Sequence, residues 1–533
     1  MRRTGAIASL FVRLDRSSDR FLQQQICHGL RQSISGGVLR PGTRLPSTRA
    51  LAAELGVSRT TVVAALLQLV EEGYLVARER SGTFVAPALP GELGEAHGVT
   101  SRDTVSRSGG DRSGGEAAPG EERGSAAGAS AAASAPVHLS RRVDELARAA
   151  NAAALDSARP RPRAFRLSRP ALDAFPVREW TRILSRRAAR VSAAQLDYGP
   201  ESPELRAAIA ELCSSARGMR VHGEQVLLFG GGQRALEFAV AAIIDPGERV
   251  WMEDPGYPGA RSVLAAAGAA ITCVPVDREG MVVAAGETAA PDARLAYTTP
   301  SCQFPLGVTM SQGRRQELLR WADRAGACIV EDDYDAEFRH SGPALASLSG
   351  LDAAGRVLYA GSFSRSMFPA LRVGFLVVPG ALVDRLRAAR ATMEEQLPSL
   401  TQLALADFIA EGHFARHLRR MRVLYAARRG ALLAAAEAVG EERLRVRPSE
   451  SGLHVIADLP VGVDPSAVST AAARRGVEAA PLSLFYADGR TGPPALVLGF
   501  GAVDARSARA AMDELAAAID EVTREAGGDP RAQ

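Results

Sequence analysis

The sequence of 533 residues predicts a multidomain protein. A small, mainly α-helical winged helix-turn-helix domain is followed by a large α/β domain, which carries a small α+β subdomain at its C-terminal end. Three observations predict this fold class. Residues 21–85 contain three helical patterns separated by glycines, and then two short β-prone segments. Residues 87–136 consist mainly of Gly, Ala, Ser, Arg and Glu. From residue 137 onward, helical patterns alternate with short apolar strands, which is typical of a mostly parallel sheet.

Charge is distributed unevenly along the chain. The formal net charge is only +4, but the first 86 residues hold twelve Arg against six Asp or Glu. A local excess of this kind suits a nucleic-acid surface, although a solvated basic helix face would have the same composition. All 64 basic residues of the chain are Arg, so the sequence contains no lysine.

Cysteine usage and hydropathy indicate a reducing compartment. The five cysteines lie far apart without a C-x-x-C pair, so the sequence predicts neither a zinc site nor a disulfide framework. The N-terminal segment has only a short, interrupted apolar run, and no stretch approaches the roughly 18 apolar residues of a membrane span. We therefore expect a soluble, cytoplasmic protein with no targeting signal and no membrane partner.

The N-terminal helical patterns predict a helix-turn-helix. In the first helix, apolar residues recur every four positions and form one face: Leu22, Ile26, Leu30 and Ile34. A second helix over residues 48–55 ends at Gly56, and Ser58 caps a third helix. The third helix has its apolar positions at Val62, Val63, Leu66, Leu67 and Val70. Two β-prone segments, residues 74–77 and 83–85, then predict a winged hairpin with an Arg-bearing tip.

The start of the third helix has the side chains of a recognition helix. Hydroxyl groups and free amides at a helix N-terminus bind phosphates, and an Arg can reach guanine edges with two hydrogen bonds. The residues concerned are Ser58, Arg59, Thr60 and Thr61. Taken by themselves, they are also compatible with an ordinary capped helix.

Residues 41–86, PGTRLPSTRALAAELGVSRTTVVAALLQLVEEGYLVARERSGTFVA, resemble the winged helix-turn-helix of the GntR family almost from end to end. The resemblance implies double-stranded DNA as the partner of this domain. The further residues that it assigns to DNA are Arg44, Ser47 and Arg49 beside the second helix, and Arg80 and Gly82 in the wing. Ala64 departs from the pattern, because Arg is common there in the MocR branch of the family, so one phosphate contact of that branch is missing.

Changes in composition predict the domain boundaries. We place a DNA-binding domain at residues 17–86, a flexible linker at 87–136, and an effector and dimerisation domain at 137–526. The linker has almost no large apolar residues, so burial cannot offset its ordering entropy. Random-coil scaling gives this tether of about fifty residues a root-mean-square span of roughly 40 Å. A linker that itself binds a partner is the alternative, but no motif in it favours that function.

The α/β region contains short buried strands that alternate with helical patterns. The predicted strands are residues 226–229, 249–252, 271–275, 293–298, 328–331, 357–360 and 373–378. From Met421 onward, helical residues followed by strands at 453–458 and 495–499 predict the smaller α+β subdomain.

Residues 359–379, YAGSFSRSMFPALRVGFLVVP, join two apolar strands through a Gly/Ser turn and place Arg372 just before the second strand. Such a turn can form a buried anion site. The segment resembles the cofactor-lysine segment of fold-type I aminotransferases, as it is found in the MocR branch of the GntR regulators. Arg365 stands at the lysine position. A guanidinium stays protonated in proteins and cannot form a Schiff base with pyridoxal phosphate, and no lysine exists elsewhere in the chain to replace it.

Other motifs extend the same resemblance. A glycine run between a strand and a helix presents backbone amides to a phosphate, although a tight turn has the same sequence. The string EDDYDAEF at residues 331–338 places several acids at a strand end, more than a turn requires. The resemblance implies a phosphate site made of Gly231, Gly232, Ser362 and Arg372, with Tyr198 reaching the phosphate in the other subunit. It also implies three contacts to the pyridine ring. Tyr257 stacks on the ring, Asp332 pairs with the ring nitrogen, and Tyr334 hydrogen-bonds the ring hydroxyl.

Several positions depart from the aminotransferase pattern. Gly232 and Arg234 replace the usual Ser and Gln of the phosphate loop, so backbone donors are kept and side-chain donors are lost. Cys302 replaces a His, and Val497 stands where transaminases keep the Arg that binds the substrate carboxylate. The resemblance therefore implies a retained pocket with lost transamination chemistry.

Three hypotheses of different class remain open. The first is a MocR-like transcription regulator whose aminotransferase-like domain senses a vitamin B6 form or an amino-acid-related effector. Its cofactor is pyridoxal 5'-phosphate or pyridoxamine phosphate, held noncovalently if it binds at all. The second is a regulator whose C-terminal domain has lost the cofactor and only dimerises, and the third is a working transaminase, which the missing lysine disfavours. The resemblance implies a homodimer.

His413 and His417, four residues apart on a helical pattern, are compatible with a metal pair. No acid lies between them in an H-E-x-x-H arrangement, and no third ligand is evident. The sequence therefore predicts a packed, basic helix face and no metal site.

Overall fold

The structure of the protein is a computed structural model. It describes residues 12, 14–16, 22–78, 81–87, 140, 142–143, 163–197, 201–340, 346–393, 396–447, 449–488 and 492–527. Contacts divide the chain into two compact units, Met1–Ala131 and Ala132–Gln533. Arg80, Tyr198 and residues 88–136 of the expected linker lie outside the described residues. The three domain boundaries therefore stay predictions.

The first unit contains three helices and an antiparallel hairpin. Their bounds are Leu22–Ser35 (α1), Thr48–Leu55 (α2), Arg59–Glu71 (α3), Leu75–Arg78 (β1) and Gly82–Val85 (β2). Ser47 caps α2, because its hydroxyl accepts a hydrogen bond from the Ala50 amide at 3.3 Å. Gly56 ends α2 in the left-handed region, with φ of 63°. The expected helix-turn-helix and the bounds of α2 are confirmed.

The core of the first unit contains one face of α1 and one face of α3. Three of the expected α1 positions are buried: Ile26, Leu30 and Ile34. The expectation for α3 was wrong at Leu67, which is 57% exposed. Ala65 and Leu69 are fully buried instead. Together with Val62 and Leu66 they follow the helical spacing of three and four residues, which turns Leu67 away from the core.

The second unit is built on a large sheet covered on both faces. Alternate residues of its first strand belong to different core clusters, with Val226 and Leu228 in one and Leu227 and Phe229 in another. In the described part of this unit the α-helices include Val177–Ala188 (α4), Ala193–Leu196 (α5), Pro203–Arg217 (α6), Gly232–Ile243 (α7), Pro258–Ala266 (α8), Val283–Ala289 (α9), Gln312–Ala325 (α10), Leu348–Leu351 (α11), Val383–Met393 (α12), Ser399–Ala410 (α13), His413–Val439 (α14), Pro465–Arg474 (α15) and Ala505–Gly527 (α16).

The large sheet has eight strands in the order β3-β10-β9-β8-β7-β4-β5-β6. The strands are Val226–Phe229 (β3), Arg249–Asp254 (β4), Ala270–Asp277 (β5), Gly280–Met281 (β6), Leu295–Thr298 (β7), Cys328–Asp332 (β8), Val357–Ser362 (β9) and Gly374–Val377 (β10). Strands β9, β8, β7, β4 and β5 pair in parallel, which confirms the mostly parallel sheet. Strand β10 is antiparallel to both β9 and β3, because it follows β9 through a turn without a crossover helix.

This topology brings several strand ends to one edge of the sheet. Strands β4, β7, β8 and β9 are mutually parallel, and β3 runs in the same direction because both β3 and β9 are antiparallel to β10. Their carboxyl ends therefore lie side by side. In open α/β sheets this edge is where ligands bind, and each of the expected cofactor residues that the structure describes ends or follows one of these strands.

The C-terminal part contains a four-stranded antiparallel sheet in the order β11-β12-β14-β13. Its strands are Arg445–Val446 (β11), His454–Asp458 (β12), Ala480–Pro481 (β13) and Ala495–Gly499 (β14). The expected start of this subdomain at Met421 was wrong, because α14 runs unbroken from His413 to Val439. Apolar side chains spaced four, three and four residues apart bury one continuous face of this helix: Phe414, Leu418, Met421 and Tyr425.

In the described parts of the chain, no single helix is long and apolar enough to cross a membrane. One pair, Thr48–Leu55 and Arg59–Val70, has the length and composition when taken together, but it is bent by 118°.

Candidate cofactor and DNA-binding sites

Four of the expected cofactor residues converge at the N-terminus of α7. Gly231 has φ of 117°, and a Cβ added there would lie 3.2 Å from the guanidinium carbon of Arg372. A Cβ added at Gly232 would lie 3.4 Å from the Cβ of Ser362. Helix N-terminal amides, a hydroxyl and a guanidinium therefore surround one small space. We call these four residues the phosphate cradle, because a phosphate monoester requires donors of these kinds.

The position of Arg372 depends on its backbone. Arg372 lies in the left-handed region, with φ of 52° and ψ of 41°, directly after the short turn Pro369–Leu371. Two residues later, Gly374 packs on the backbone of Gly231 so closely that a Cβ would overlap it. A non-glycine residue in this region costs of order 1 kcal/mol or more, and such residues cluster at ligand sites. The left-handed backbone of Arg372 and the close contact of Gly374 with Gly231 thus place the Arg372 guanidinium beside Gly231.

Asp332, at the carboxyl end of β8, is held by Tyr297 on the neighbouring strand β7. The Tyr297 hydroxyl donates a hydrogen bond to Oδ2 of Asp332 at 2.8 Å. Burial raises the pKa of Asp332 to about 6, and the hydrogen bond from Tyr297 opposes this rise. The carboxyl is therefore mostly ionised at neutral pH and can pair with a protonated pyridine nitrogen. Sequence reasoning missed Tyr297, because a tyrosine on a buried strand is more often a core residue.

The rings of Tyr257, Phe304 and Tyr334 pack in one cluster, which we call the aromatic wall. The ring of Phe304 contacts those of Tyr257 and Tyr334 edge-on, with centroids 5.8 Å apart in both pairs. The Tyr257 hydroxyl donates to Oε1 of Gln233 at 3.3 Å, and the Tyr334 hydroxyl lies 3.5 Å from the Sγ atom of Cys302. The two expected ring contacts thus lie on either side of Phe304, which sequence reasoning missed.

Arg365 is a half-buried cation that contacts polar and aromatic side chains. Its Nη2 atom donates a hydrogen bond to Oγ of Ser168 at 2.9 Å, and its Nη1 atom lies 3.6 Å from Oδ2 of Asp335. Its guanidinium carbon lies 5.3 Å from the ring centroid of Tyr334, in cation–π contact. The side chain is 13% exposed. Since a guanidinium has five N–H donors, Arg365 retains donors for an anionic ligand.

Two other acids of the EDDYD string, Glu331 and Asp333, have structural partners. The carboxylate of Glu331 accepts hydrogen bonds from the amides of residues 348–349 at 2.8 and 2.9 Å, at the start of α11. Asp333 accepts a hydrogen bond from the Tyr359 hydroxyl at 2.6 Å and lies 2.7 Å from Nε of Arg217. Helix capping and ion pairing therefore account for part of the surplus of acids that the sequence shows at this strand end.

Val497 lies in an apolar cluster that adjoins the aromatic wall. It is fully buried and pairs across the sheet with Ile456 on β12 and Ala480 on β13. The same cluster contains Phe304 and Phe485. The position that the resemblance assigns to a carboxylate-binding Arg is thus part of a hydrophobic core.

The described residues fit the phosphate and the ring of a pyridoxal-type cofactor. The cradle supplies the phosphate donors, and Asp332 supplies a half-buried carboxylate for the ring nitrogen. Oδ1 of Asp335 is buried and has no hydrogen-bond partner among the described residues, so an unused acceptor remains on the carboxylate that lies near Arg365. The chain has no lysine amine that could attach the cofactor.

The two histidines at the start of α14 have packed surroundings. His417 is 3% exposed and contacts Phe175, and its burial lowers its pKa to about 4. His413 stacks on Phe408, and its Nδ1 atom lies 2.9 Å from Nη2 of Arg416. The expected packed, basic face is confirmed. Within the described ranges, no group of three or more His, Cys, Asp and Glu could hold a metal ion.

The expected recognition residues lie at the start of α3. Oγ of Ser58 accepts a hydrogen bond from the Thr61 amide at 3.1 Å, and the two hydroxyls are 2.7 Å apart. Nε of Arg59 donates to Oγ1 of Thr48 on α2 at 3.3 Å. Arg59 and Thr60 are exposed. Ser58 and Thr61 thus form the helix cap, while Arg59 and Thr60 extend into solvent.

The other described residues that we assigned to DNA are exposed: Arg44, Ser47, Arg49 and Gly82. Two arginines of the wing region lie over one aromatic ring, that of Phe84. The guanidinium carbons of Arg44 and Arg78 lie 6.0 and 5.1 Å from the ring centroid of Phe84. A Cβ at Gly82, where φ is 110°, would lie 3.2 Å from Nε of Arg44. The sequence placed Arg78 in the Arg-bearing tip of the wing, but its contact with Phe84 depends on the pairing of the two strands.

Two protein families match this chain. Residues 22–85 match the family described as "Bacterial regulatory proteins, gntR family", and residues 168–493 match the family "Aminotransferase class I and II". The second match covers the cradle, Asp332 and Arg365. Pyridoxal-type cofactors are bound by aminotransferases of this fold.

Relatives of known name match over nearly the whole length. The "Probable rhizopine catabolism regulatory protein MocR" of Rhizobium meliloti is 37% identical over 512 residues, covering 95% of each chain. The "HTH-type pyridoxine biosynthesis transcriptional regulator PdxR" of Corynebacterium glutamicum is 29% identical over 524 residues, covering 96% of this chain and 99% of its own. Kynurenine aminotransferase of Pyrococcus horikoshii, solved in complex with PMP, is 26% identical with a TM-score of 0.63, covering 72% of this chain and 95% of its own. The chain therefore belongs to the MocR-type GntR family of helix-turn-helix transcriptional regulators, which join a GntR domain to an aminotransferase class I and II domain.

Proposed function

We propose that this chain binds promoter DNA through residues 17–86 and that residues 137–526 sense a vitamin B6 form or an amino-acid-related effector without covalent attachment of the cofactor. One observation carries the noncovalent part: Arg365 stands at the lysine position of a chain that has no lysine. The phosphate cradle supports retention of a ligand, because its donors are still assembled around one space. The exposed side chains of Arg59 and Thr60 support the DNA-binding part.

The chain's own residues have distinct roles in this proposal. The phosphate binds to Gly231, Gly232, Ser362 and Arg372, and Tyr198 reaches it in the other subunit of a homodimer. Tyr257 stacks on the ring, Asp332 pairs with the ring nitrogen, and Tyr334 hydrogen-bonds the ring hydroxyl. When bound, pyridoxal phosphate supplies an aldehyde that condenses with amines and a ring that withdraws electrons. Arg365 keeps its proton at physiological pH, so it binds an anionic group and cannot act as a general base.

The proposal also covers the organisation of the chain. Residues 87–136 serve as a flexible tether, and residues 137–526 form the homodimer. Because its target is promoter DNA, we propose that the protein acts in the cytoplasm.

A second candidate function is a regulator whose aminotransferase-like domain only dimerises. The specific observation in its favour is that Tyr334 already contacts Cys302, and Arg365 already contacts Ser168 and lies near Asp335. A ligand has to displace some of these contacts. Val497, which is buried at the position of the carboxylate-binding Arg of transaminases, also favours a domain that only dimerises.

One titration separates these functions. Purified full-length protein is titrated with pyridoxal phosphate and with pyridoxamine phosphate, and binding is followed by absorbance and by equilibrium dialysis. The sensing function predicts saturable binding of both, with pyridoxamine phosphate bound comparably or better, and loss of both in an Arg372→Ala variant. Absence of binding to the wild-type protein would establish the dimerisation-only function, and turnover of an amino acid would establish a transaminase.

A further inference from the structure

Five exposed arginines form a basic surface on the second unit. Arg178 and Arg182 lie four residues apart on α4, and Arg416, Arg419 and Arg420 lie within the first eight residues of α14. All five are exposed. In the part of the chain that the structure describes, no carboxylate forms an ion pair with any of them. We call these five residues the α4–α14 arginine surface.

Contacts between the helices show that the two groups are neighbours. Nη2 of Arg182 lies 3.4 Å from Nε2 of His413, and Nη2 of Arg416 lies 2.9 Å from Nδ1 of the same ring. Nη2 of Arg420 donates a hydrogen bond to the carbonyl of Ala174, just before α4, at 2.8 Å. One guanidinium thus donates to a backbone carbonyl, and two lie against the same histidine ring, whose Nε2 atom is also 3.4 Å from Oε2 of Glu411.

None of these three contacts is an ion pair. The contrast is with Arg186 and Arg187, one turn further along α4, which both pair with Asp407, while Arg186 also pairs with Glu411. Five positive charges on two adjacent helices, none of them in an ion pair with a described carboxylate, create a local positive potential. Exposed guanidinium groups of this kind bind phosphate oxygens.

We propose that the α4–α14 arginine surface binds the phosphate backbone of DNA that flanks the site recognised by the first unit. This inference rests on the proposed DNA-binding function of residues 17–86. That domain belongs to the same chain, so DNA that it binds is present near the arginine surface at a high effective concentration. The contact is independent of base sequence, because it is made to phosphates. An acidic face of a second copy of the chain is the competing occupant.

The test uses the salt dependence of DNA binding by the full chain. Two duplexes are compared, one limited to the operator and one extended on both sides. In the triple variant Arg416→Ala, Arg419→Ala, Arg420→Ala, the slope of log affinity against log salt should become less negative by about two to three on the extended duplex. It should stay unchanged on the short one. The double variant Arg178→Ala, Arg182→Ala should change the slope in the same direction.

A matched control replaces three exposed arginines that already pair with carboxylates: Arg249→Ala, Arg324→Ala, Arg509→Ala. This control should retain the wild-type slope on both duplexes. Equal slopes for the wild-type protein and the triple variant on the extended duplex would overturn the inference. So would a change in oligomeric mass without a change in slope, because the surface would then bind a second copy.

Failure of the proposed function has a different outcome. If residues 17–86 do not bind DNA, the wild-type protein shows no sequence-specific affinity for the short duplex, and both proposals are overturned. If only the arginine surface is wrong, Arg59→Ala still weakens binding to both duplexes while the triple variant changes neither. Unchanged thermal unfolding of the triple variant excludes a folding defect, since all three side chains are exposed.

Discussion

Ser168 accepts a hydrogen bond from Nη2 of Arg365 at 2.9 Å while its own backbone lies in the left-handed region, with φ of 64°. The segment around Ser168 adds to the C-terminal sheet, because the Gly499 amide donates to the Phe165 carbonyl at 2.8 Å. Arg365 is thereby tied to a segment far away in sequence. The hydrogen bond to a charged donor is stabilising, and the left-handed backbone of a non-glycine residue is destabilising.

Two substitutions at Ser168 separate these effects. Ser168→Ala should lower the free energy of unfolding by about 1.5–3 kcal/mol, because it removes a hydrogen bond to a charged group and keeps the strained backbone. Ser168→Gly also removes the hydrogen bond, but its free energy of unfolding should be about 1 kcal/mol higher than that of Ser168→Ala, since glycine adopts this φ without strain. Urea denaturation of the ligand-free protein measures both. Equal losses in the two variants would show that the backbone of Ser168 is not strained.

Arg59 should contribute to sequence-specific DNA binding. Arg59→Ala is expected to lower the affinity for a native promoter fragment by about 1–3 kcal/mol if the side chain reads a base, and to relax preference at one position. Arg324→Ala, which removes an exposed arginine of the second unit, is the control. Mobility-shift titrations at fixed salt measure the difference. Unchanged binding by Arg59→Ala would remove Arg59 from the residues that read the operator.

Gly231 should be required for phosphate binding. A Cβ at this position meets the guanidinium of Arg372 at 3.2 Å, and φ of 117° is unfavourable for alanine by of order 1–3 kcal/mol. Gly231→Ala should therefore weaken the binding of pyridoxamine phosphate, measured by equilibrium dialysis, at least about tenfold for a loss of 1.4 kcal/mol. Gly380→Ala is the control, because a Cβ there has no neighbour within 4 Å. Equal affinities of the two variants would exclude the cradle as the phosphate site.

His454 should make the stability of the protein depend on pH. It is 3% exposed, its Nε2 atom lies 2.8 Å from the Pro305 carbonyl, and burial lowers its pKa from 6.5 to about 4. Between these values the unfolded chain binds a proton that the folded chain does not. Stability is therefore full above pH 6.5 and falls as the pH drops towards 4, by about 3 kcal/mol for this group.

The variant His454→Gln isolates this effect. Its amide can still donate to the Pro305 carbonyl, but it does not titrate, so the contribution of His454 to the pH dependence should disappear. The difference in unfolding free energy between the wild-type protein and the variant is measured by urea denaturation at about pH 7.5 and about pH 4.5. Buried acids such as Asp332 titrate equally in both proteins and cancel. A difference that does not change with pH would contradict the prediction.

Local features of this fold were predictable from the sequence, and long-range contacts were not. The bounds of α2 follow from Ser47 and Gly56, whose effects on the backbone are local. Apolar spacing predicted most of the strands for the same reason. Leu67 was misplaced because two overlapping apolar stripes on α3 satisfy the helical spacing, and only packing against α1 selects one of them.

The candidate site shows the same division. The cradle was predictable because its glycines and Arg372 belong to continuous motifs at strand ends. The contact of Arg365 with Ser168 joins residues 197 positions apart, and no sequence motif predicts it. Tyr297 is similar, since its contact with Asp332 depends on the order of β7 and β8 in the sheet. Family resemblance predicts which side chains face a cofactor, but not which protein groups hold those side chains.

The Arg365→Lys substitution tests whether the pocket still accommodates its cofactor. In the wild-type protein, borohydride reduction in the presence of pyridoxal phosphate should leave the polypeptide mass unchanged, apart from reaction at the N-terminal amine, because an arginine cannot form the covalent link. Arg365→Lys introduces the only lysine amine of the chain, at a side chain that contacts the Tyr334 ring. Intact-mass analysis of this variant should then show one cofactor adduct, which peptide mapping places at residue 365.

Two control variants define what the adduct means. Arg324→Lys places a lysine on the surface and should give no site-specific adduct, which excludes nonspecific reduction. Arg365→Lys combined with Arg372→Ala should lose the adduct, because the phosphate is no longer held. An adduct on the wild-type protein away from the N-terminus would contradict the noncovalent proposal. If a folded Arg365→Lys variant does not form the adduct, the absence of a lysine amine at residue 365 is not the only change that prevents attachment. That result would favour a domain that has lost its cofactor and only dimerises.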